Sequence, residues 1–128
     1  MISELRVQSS KKYDAIDITM NVARLVKNVK EGKALIYVPH ATTAITINES
    51  HDPNVCIDIL AALDRMVPAG RWLHDKIDNN GAAHIKAAII GPSEFVPIKD
   101  GKLMLGMWQS IMLLDFDGPK ERRVIVEV

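Results

Sequence analysis

The apolar residues of this chain recur with two different periods, and this pattern constrains the fold more than any other feature. Helical spacing dominates early in the chain and strand-like alternation dominates late. No internal repeat, low-complexity tract or Gly/Ser-rich linker interrupts the 128 residues. The sequence therefore predicts one domain, spanning residues 1–128, built around a single hydrophobic core.

Three segments have the apolar spacing of an amphipathic helix. The first begins at Thr19 and ends at Gly32, with an apolar face made of Val22, Leu25, Val26 and Val29. The second begins at Asp52, because aspartate can cap a helix and Pro53 sacrifices no hydrogen bond at the first helical position. Its apolar stripe, which ends before Pro68, comprises Cys56, Ile59, Leu60, Leu63 and Val67. The third covers residues 82–90 and is closed by Gly91.

The remaining apolar runs are typical of strands. They cover residues 1–10, 14–18, 34–38, 43–47, 94–98, 103–115 and 122–128. Residues 94–98 and 103–115 flank a four-residue turn and predict a long β-hairpin. The predicted fold class is α+β, with a mostly antiparallel sheet and about three helices.

Charge and composition exclude several classes of protein. Sixteen basic residues balance sixteen acidic ones, so the chain lacks the positive field that nucleic-acid binding requires. No stretch approaches the roughly 18 apolar residues of a membrane span. The single cysteine, Cys56, cannot form an internal disulfide, and the N-terminal residues carry charge where a signal peptide needs an apolar run. We therefore expect no nucleic-acid partner, no membrane and a cytoplasmic location.

Three histidines lie where side chains can converge on a cleft. His40 follows a strand, His74 lies in a polar loop, and His84 falls in the first turn of a helix. Imidazole binds metal ions and transfers protons near neutral pH. The gaps of 34 and 10 residues match no local metal-binding motif. Spacing alone therefore leaves open whether these histidines share a metal ion or are unrelated, and His51 is expected to be solvated.

Several other side chains have both a functional and an ordinary interpretation. Glu49 is placed to orient a histidine, ligate a cation or act as a general base, but it also suits a solvated turn. Trp108 and Gln109 offer a flat wall and an amide for a heterocycle, or belong to the core. Arg122 and Lys86 suit phosphate binding or a solvated surface.

Taken as an ordered set, six motifs resemble the YjbQ-like family of secondary thiamine-phosphate synthases. The motifs are HATTAITINE at residues 40–49, DPNV at 52–55, HD at 74–75, NGAAHIK at 80–86, GKLMLGMWQ at 101–109 and DGPKER at 117–122. The resemblance covers nearly the whole chain. It implies a barrel-like antiparallel sheet, a homotrimer and a cleft that holds the matching histidines.

The resemblance also implies roles for particular residues. His40, Glu49 and His84 would be catalytic, and the metal ligands would be His40, His74 and His84. The substrate-binding residues would be Asn48, Asn80, Lys86, Trp108, Gln109 and Arg122. The implied reaction joins a pyrimidine pyrophosphate to a thiazole phosphate and releases pyrophosphate.

Histidine ligands favour zinc or another transition ion, although Mg²⁺ is possible with a pyrophosphate substrate. A metal-assisted hydrolase and a non-catalytic trimer that binds a metal or metabolite are alternatives to this transferase. The partner is expected to be a small phosphate or pyrophosphate compound. The Met- and Leu-rich residues 103–114 suggest either a subunit interface or a strand covered on both faces within its own chain.

Overall fold

The computed structural model describes residues 1–128 and confirms the α+β class with antiparallel strands and three α-helices. No helix is both long enough and apolar enough to cross a membrane. In chain order the elements are β1 (Ile2–Gln8), β2 (Asp14–Asp17), α1 (Thr19–Leu25), β3 (Glu31–Tyr37), β4 (Thr43–Asn48), α2 (Pro53–Met66), a 3-10 helix (Leu73–Lys76), α3 (Gly81–Ile90), β5 (Ser93–Lys99), β6 (Lys102–Leu103), β7 (Ser110–Asp115) and β8 (Glu121–Glu127).

The strands form two antiparallel sheets, one of them curled into a half-barrel. The first sheet has five strands in the order β1-β8-β3-β5-β6, and the second has three in the order β2-β7-β4. The main core lies between the sheets, where Ile111 and Leu113 of β7 meet Ile36 of β3 and Val124 of β8. Helix α1 contributes Val22 to the same core.

The second sheet is covered on both faces by its own chain. On its far side, Leu114 packs with Leu63 of α2 and with Ala83 and Ala87 of α3. Residues 111–114 are therefore fully buried within one chain. Because a strand buried on both faces needs no polar alternation, its apolar composition does not indicate a subunit interface.

The long predicted hairpin strand at residues 103–115 is wrong. Strand β6 pairs with β5 for only two residues, and β7 belongs to the other sheet. Between them the chain turns at Gly106, whose N–H donates to Gln109 Oε1 at 2.8 Å, while the N–H of Gln109 donates to the Gly106 carbonyl at 3.1 Å. This turn carries the chain from one sheet to the other and leaves Met107 87% exposed.

The two predicted helix starts have different outcomes. Asp52 caps α2 as predicted, since its carboxylate accepts from the Asn54 N–H at 2.9 Å. The first helix instead begins at Thr19 itself and ends at Leu25, well before Gly32. Thr19 does not cap it, because its hydroxyl accepts the N–H of Ile111 at 2.9 Å. A tertiary hydrogen bond has replaced the local one.

Candidate functional site

His40 and His84 lie on the walls of one cavity of about 200 Å³. The remaining lining residues are Ala41, Thr43, Ala87, Ala88 and Pro92. Two backbone hydrogen bonds hold the end of α3 against the strands: the Val38 N–H donates to the Pro92 carbonyl, and the Ile45 N–H donates to the Gly91 carbonyl at 3.1 Å. Of the three histidines predicted to share a cleft, His40 and His84 line this cavity and His74 does not.

His40 is held as a neutral imidazole. Its Nε2 accepts the backbone N–H of Arg123 at 2.9 Å, so the ring proton is assigned to Nδ1. Burial, followed by the positive charges of Arg122 and Arg123, lowers the pKa of His40 below its ordinary value. A neutral imidazole has one nitrogen lone pair, and here the Arg123 N–H occupies it. His40 is thus a hydrogen-bond donor through Nδ1, and its predicted role as a metal ligand does not fit this arrangement.

His74 and His84 lie side by side. Their ring centroids are 4.8 Å apart and their planes meet at 88°. His74 Nε2 is 3.6 Å from Asp78 Oδ2, which is an electrostatic contact but too long for a hydrogen bond. This buried nitrogen therefore has no hydrogen-bond partner. Such an atom is costly unless something binds it.

Asp75, which was not among the predicted site residues, holds this pair together. Its carboxylate accepts the N–H of Trp72 at 3.0 Å and the N–H of Gly81 at 2.8 Å. These hydrogen bonds, led by that from Trp72, lower the pKa of Asp75. They join the 3-10 helix to the first residue of α3, which places His74 beside His84. The HD motif at residues 74–75 is the signal that marks this position.

Two further buried polar atoms near the histidines lack partners. Thr43 Oγ1 lines the cavity and makes no hydrogen bond. Asn80 Nδ2 donates to Asp117 Oδ2 at 2.9 Å, but Asn80 Oδ1 is unpartnered. Asn80 immediately precedes α3 and does not line the cavity, so its predicted substrate contact stays a prediction. Thr43 was not among the predicted site residues, because a threonine within a β-branched run looks like an ordinary strand residue.

The three predicted metal-ligating histidines do not form one metal centre within the chain. No three His, Cys, Asp or Glu side chains are grouped so that they could hold an ion together. The structure pairs His74 with His84, and it pairs His84 with His40 only as cavity walls. The physical reason is that the lone pair of His40 Nε2 already accepts the backbone N–H of Arg123 in β8.

Arg122 is a structural residue in this chain. Its Nε and Nη2 donate to the two carboxylate oxygens of Asp115 at 2.9 and 2.8 Å, and the side chains are only 7% and 0% exposed. Burial raises the pKa of Asp115, but hydrogen bonds from Arg122 and Ser9 outweigh it and the net pKa is lowered. The predicted substrate-binding role of Arg122 is corrected, since the Nε and Nη2 donors of its guanidinium group are already used by Asp115.

Lys86 is also committed to internal contacts. The side chain is 1% exposed, Nζ lies 3.0 Å from Asp64 Oδ1, and it stands 4.1 Å from the centroid of the Tyr13 ring. An ion pair and a cation–π contact account for its charge. The predicted phosphate contact is therefore corrected, because Lys86 points into the packing between α2 and α3.

The remaining predicted residues lie at the other end of β4. Five strand steps separate Thr43 from Asn48, a span of about 17 Å, so Glu49 cannot act on the histidine cavity of its own chain. Asn48 Oδ1 accepts the Glu49 N–H at 2.8 Å, and Glu49 Oε2 accepts the Asp52 N–H at 3.3 Å. These contacts shape the turn that leads into α2.

Trp108 lies at this same end, in contact with a histidine outside the predicted site. Its ring centroid is 5.5 Å from that of His51, and the residue is 57% exposed. Gln109 uses its amide oxygen in the Gly106 turn. Neither side chain reaches the histidine cavity within one chain, because both residues precede β7 at the end where Ser110 pairs with Asn48, and Thr43 pairs with Asp115 at the opposite end.

Comparisons with known proteins agree with the fold. The family model described as UPF0047 protein YjbQ-like matches residues 3–128. A UPF0047 protein of Archaeoglobus fulgidus is 46% identical over 97% of this chain and 98% of its own length. A Clostridium acetobutylicum structure of the yjbq/upf0047 family superposes with a TM-score of 0.93 at 42% identity, covering 98% of each chain.

A Sulfolobus solfataricus structure overturns the functional expectation together with these relatives. It has a TM-score of 0.94 and 35% identity, covers 98% of this chain and 94% of its own, and is described as a YbjQ-like protein of unknown function. The relatives bear only the UPF0047 name, so the predicted thiamine-phosphate synthase activity is wrong as an implication of the resemblance. The match over residues 3–128 shows that this chain belongs to the YjbQ-like UPF0047 family.

Proposed function

We propose that this protein binds a divalent transition-metal ion through His74 and His84. The observation that carries the proposal is His74 Nε2, a buried nitrogen without a hydrogen-bond partner beside the His84 ring. Neutral imidazole nitrogen suits zinc and neighbouring transition ions, whereas Mg²⁺ prefers oxygen ligands. Asp78 Oδ2 lies 3.6 Å from this same Nε2 of His74, so its negative charge favours a cation at that nitrogen.

Two imidazoles fit such an ion only in part, because a stable site takes three or four protein ligands. A second copy of the chain would supply the rest in the predicted homotrimer. The opposite end of β4 carries an exposed carboxylate and aromatic surface, and a cyclic assembly in which that end of one copy met the histidine cavity of the next would complete the site. Met107 is 87% exposed and Trp108 is 57% exposed in the single chain. Large apolar residues that a neighbouring copy covers in an assembly would be exposed in this way.

The ligand class we propose is a small phosphate or pyrophosphate compound. Both basic residues predicted to bind phosphate already have an acidic partner: Arg122 with Asp115, and Lys86 with Asp64. The chain's own contribution to the anion would therefore be neutral donors, chiefly Nδ1–H of His40 and the unpartnered hydroxyl of Thr43. A bound transition ion would supply Lewis acidity toward the phosphate oxygens. We place this function in the cytoplasm, where the free thiol of Cys56 is stable.

Metal analysis tests the proposal directly. Untagged protein is expected to retain zinc or another transition ion after gel filtration, measured by inductively coupled plasma mass spectrometry. His74→Ala and His84→Ala are each expected to lose the ion while remaining folded by circular dichroism. Arg24→Ala is the control, because Arg24 is an exposed residue of α1 that lines no cavity of the protein.

His40→Ala gives a sharper discrimination. Since the His40 lone pair is committed to Arg123, this variant is expected to keep the ion. Loss of the ion in His40→Ala would show that the ring is a ligand and would refute the pairwise site. Metal-free wild-type protein that takes up no zinc in a titration would refute the whole proposal. Light scattering during gel filtration tests the trimer separately.

A further inference from the structure

The largest cavity of the protein lies away from the histidines. It occupies about 380 Å³ between β2 and the first two turns of α2. Its lining residues are Lys11, Tyr13, Asp14, Ala15, Asp17, Ser50, Pro53, Cys56, Ile57, Leu60 and Met112. A volume of this size suits one small organic molecule rather than a peptide or a helix.

The cavity explains why α2 is incompletely buried. Of the five residues that its apolar stripe assigns to the core, only Leu63 and Val67 are buried. Leu60 and Cys56, about one and two turns before Leu63, are only half-buried and line the cavity. Met112 forms the floor, with its Sδ 3.0 Å from Cys56 Sγ. Covering this open apolar wall beneath the helix with an apolar group removes it from water, and this burial lowers the free energy.

The polar part of the lining is acidic. Asp14 and Asp17 contribute two carboxylates and Lys11 one ammonium, so the lining carries a net charge of −1. Neither carboxylate belongs to any ion pair of the chain. Asp17 is fixed in place, because it accepts the Thr19 N–H at 2.9 Å and the Ser50 hydroxyl at 2.6 Å. A fixed carboxylate without a cationic partner beside an apolar floor selects a cation with an apolar body.

We propose that this cavity binds a small organic amine, with its ammonium group at Asp17 and its apolar body against Leu60 and Met112. The binding is separate from the proposed metal site. It involves neither His74 nor His84, and it needs no second copy of the chain. The size of the cavity limits the apolar body to about one aromatic ring with a short side chain.

Phenethylamine is the probe, and two matched compounds keep the same ring and change the head group. Phenethyl alcohol is neutral and 3-phenylpropionate is anionic. Cys56 is the only cysteine and lines the cavity, so its alkylation by iodoacetamide reports occupancy. Phenethylamine at roughly millimolar concentration is expected to slow the alkylation and to shift the backbone amide resonances of β2 and α2. The alcohol is expected to bind about tenfold more weakly and the anion not measurably.

Two variants test recognition of the ammonium group and of the apolar body of the ligand independently. Asp17→Asn keeps the oxygen that accepts the Thr19 N–H but removes the charge, and is expected to weaken phenethylamine binding about tenfold or more. Asp58→Asn is the matched control, since Asp58 is an exposed carboxylate of α2 outside the lining. Ala15→Ile fills the cavity from an edge strand, where a β-branched residue is well tolerated, and is expected to abolish binding.

Equal protection of Cys56 by all three compounds would overturn the proposal, as would unchanged binding in Asp17→Asn. Absence of protection by phenethylamine at 100-fold the expected concentration would overturn it as well. The binding is expected to persist in His74→Ala and in the presence of a chelator. The experiments therefore distinguish failure of the proposed metal site from failure of the proposed amine site.

Discussion

Replacement of Arg122 by methionine is expected to be among the most destabilising single changes on the sheet side of the histidine cavity. Methionine keeps much of the apolar stem but leaves Asp115, which is 0% exposed, without its cation. Two charge-assisted hydrogen bonds, at 2.9 and 2.8 Å, are lost. At about 1.5–3 kcal/mol each they sum to about 3–6 kcal/mol, which agrees with the usual cost of about 3–5 kcal/mol for leaving one partner of a buried pair alone.

Urea unfolding followed by circular dichroism measures this loss. Arg122→Met is expected to lower the free energy of unfolding by about 3–5 kcal/mol and the melting temperature by on the order of 10 °C. The double variant with Asp115→Asn removes the buried charge while keeping the acceptor for Ser9, which donates at 2.7 Å. It is expected to recover at least about 2 kcal/mol relative to the sum of the single losses.

An exposed ion pair on the neighbouring strands supplies the control. Arg6 and Glu121 are 2.6 Å apart with side chains 65% and 54% exposed, so Arg6→Met is expected to leave the free energy of unfolding nearly unchanged. A loss below about 1 kcal/mol in Arg122→Met, or simple additivity in the double variant, would refute the assignment of Arg122 as a buried structural cation.

Three further changes have definite expected outcomes. The pKa of Asp115 in the folded state lies below its ordinary value, so the stabilisation by its carboxylate is complete above the unfolded-state pKa and is lost as pH falls through the folded-state pKa. Urea unfolding between about pH 5 and 2 is therefore expected to show a steeper loss of stability in wild type than in Asp115→Asn. Gly81→Ala is expected to cost about 1–3 kcal/mol by thermal unfolding, since the added Cβ would lie 2.6 Å from Cβ of Trp72, whereas at Gly106 the nearest atom is 3.4 Å away and the same change is expected to be nearly neutral. Lys86→Met is expected to change stability by less than about 1.5 kcal/mol and to leave metal content unchanged, because the half-exposed partner carboxylate regains water; loss of the ion would contradict a purely structural lysine.

The parts of the fold that follow from neighbouring residues were predictable. The start of α2 depends on a hydrogen bond between Asp52 and Asn54, two residues apart, and the sequence contains both partners. The end of α3 at Gly91 likewise follows from local chemistry, with φ at +97°. The β6–β7 region failed because its apolar residues serve different sheets on either side of a turn, and periodicity carries no information on which strands pair.

The candidate site was predictable only as a set of residue types. The sequence indicated His74 and His84, and their contact depends on Asp75 joining two elements. It also grouped Glu49 and Trp108 with them, although the length of β4 places both at the opposite end. The order of motifs in the sequence does not give distances within a sheet. Within one chain, Glu49 and Trp108 therefore lie far from the histidines with which the motifs had grouped them.

The sequence by itself determined the kinds of element, most of their boundaries and the family, because backbone propensity, capping and motif order are properties of adjacent residues. The tertiary structure alone decided which polar groups remain free to bind anything. The lone pair of His40 is taken by an N–H 83 positions away, and the fork of Arg122 by the carboxylate of Asp115. Each polar atom can satisfy only a limited number of partners, and which partners reach it is fixed when the sheets pack together.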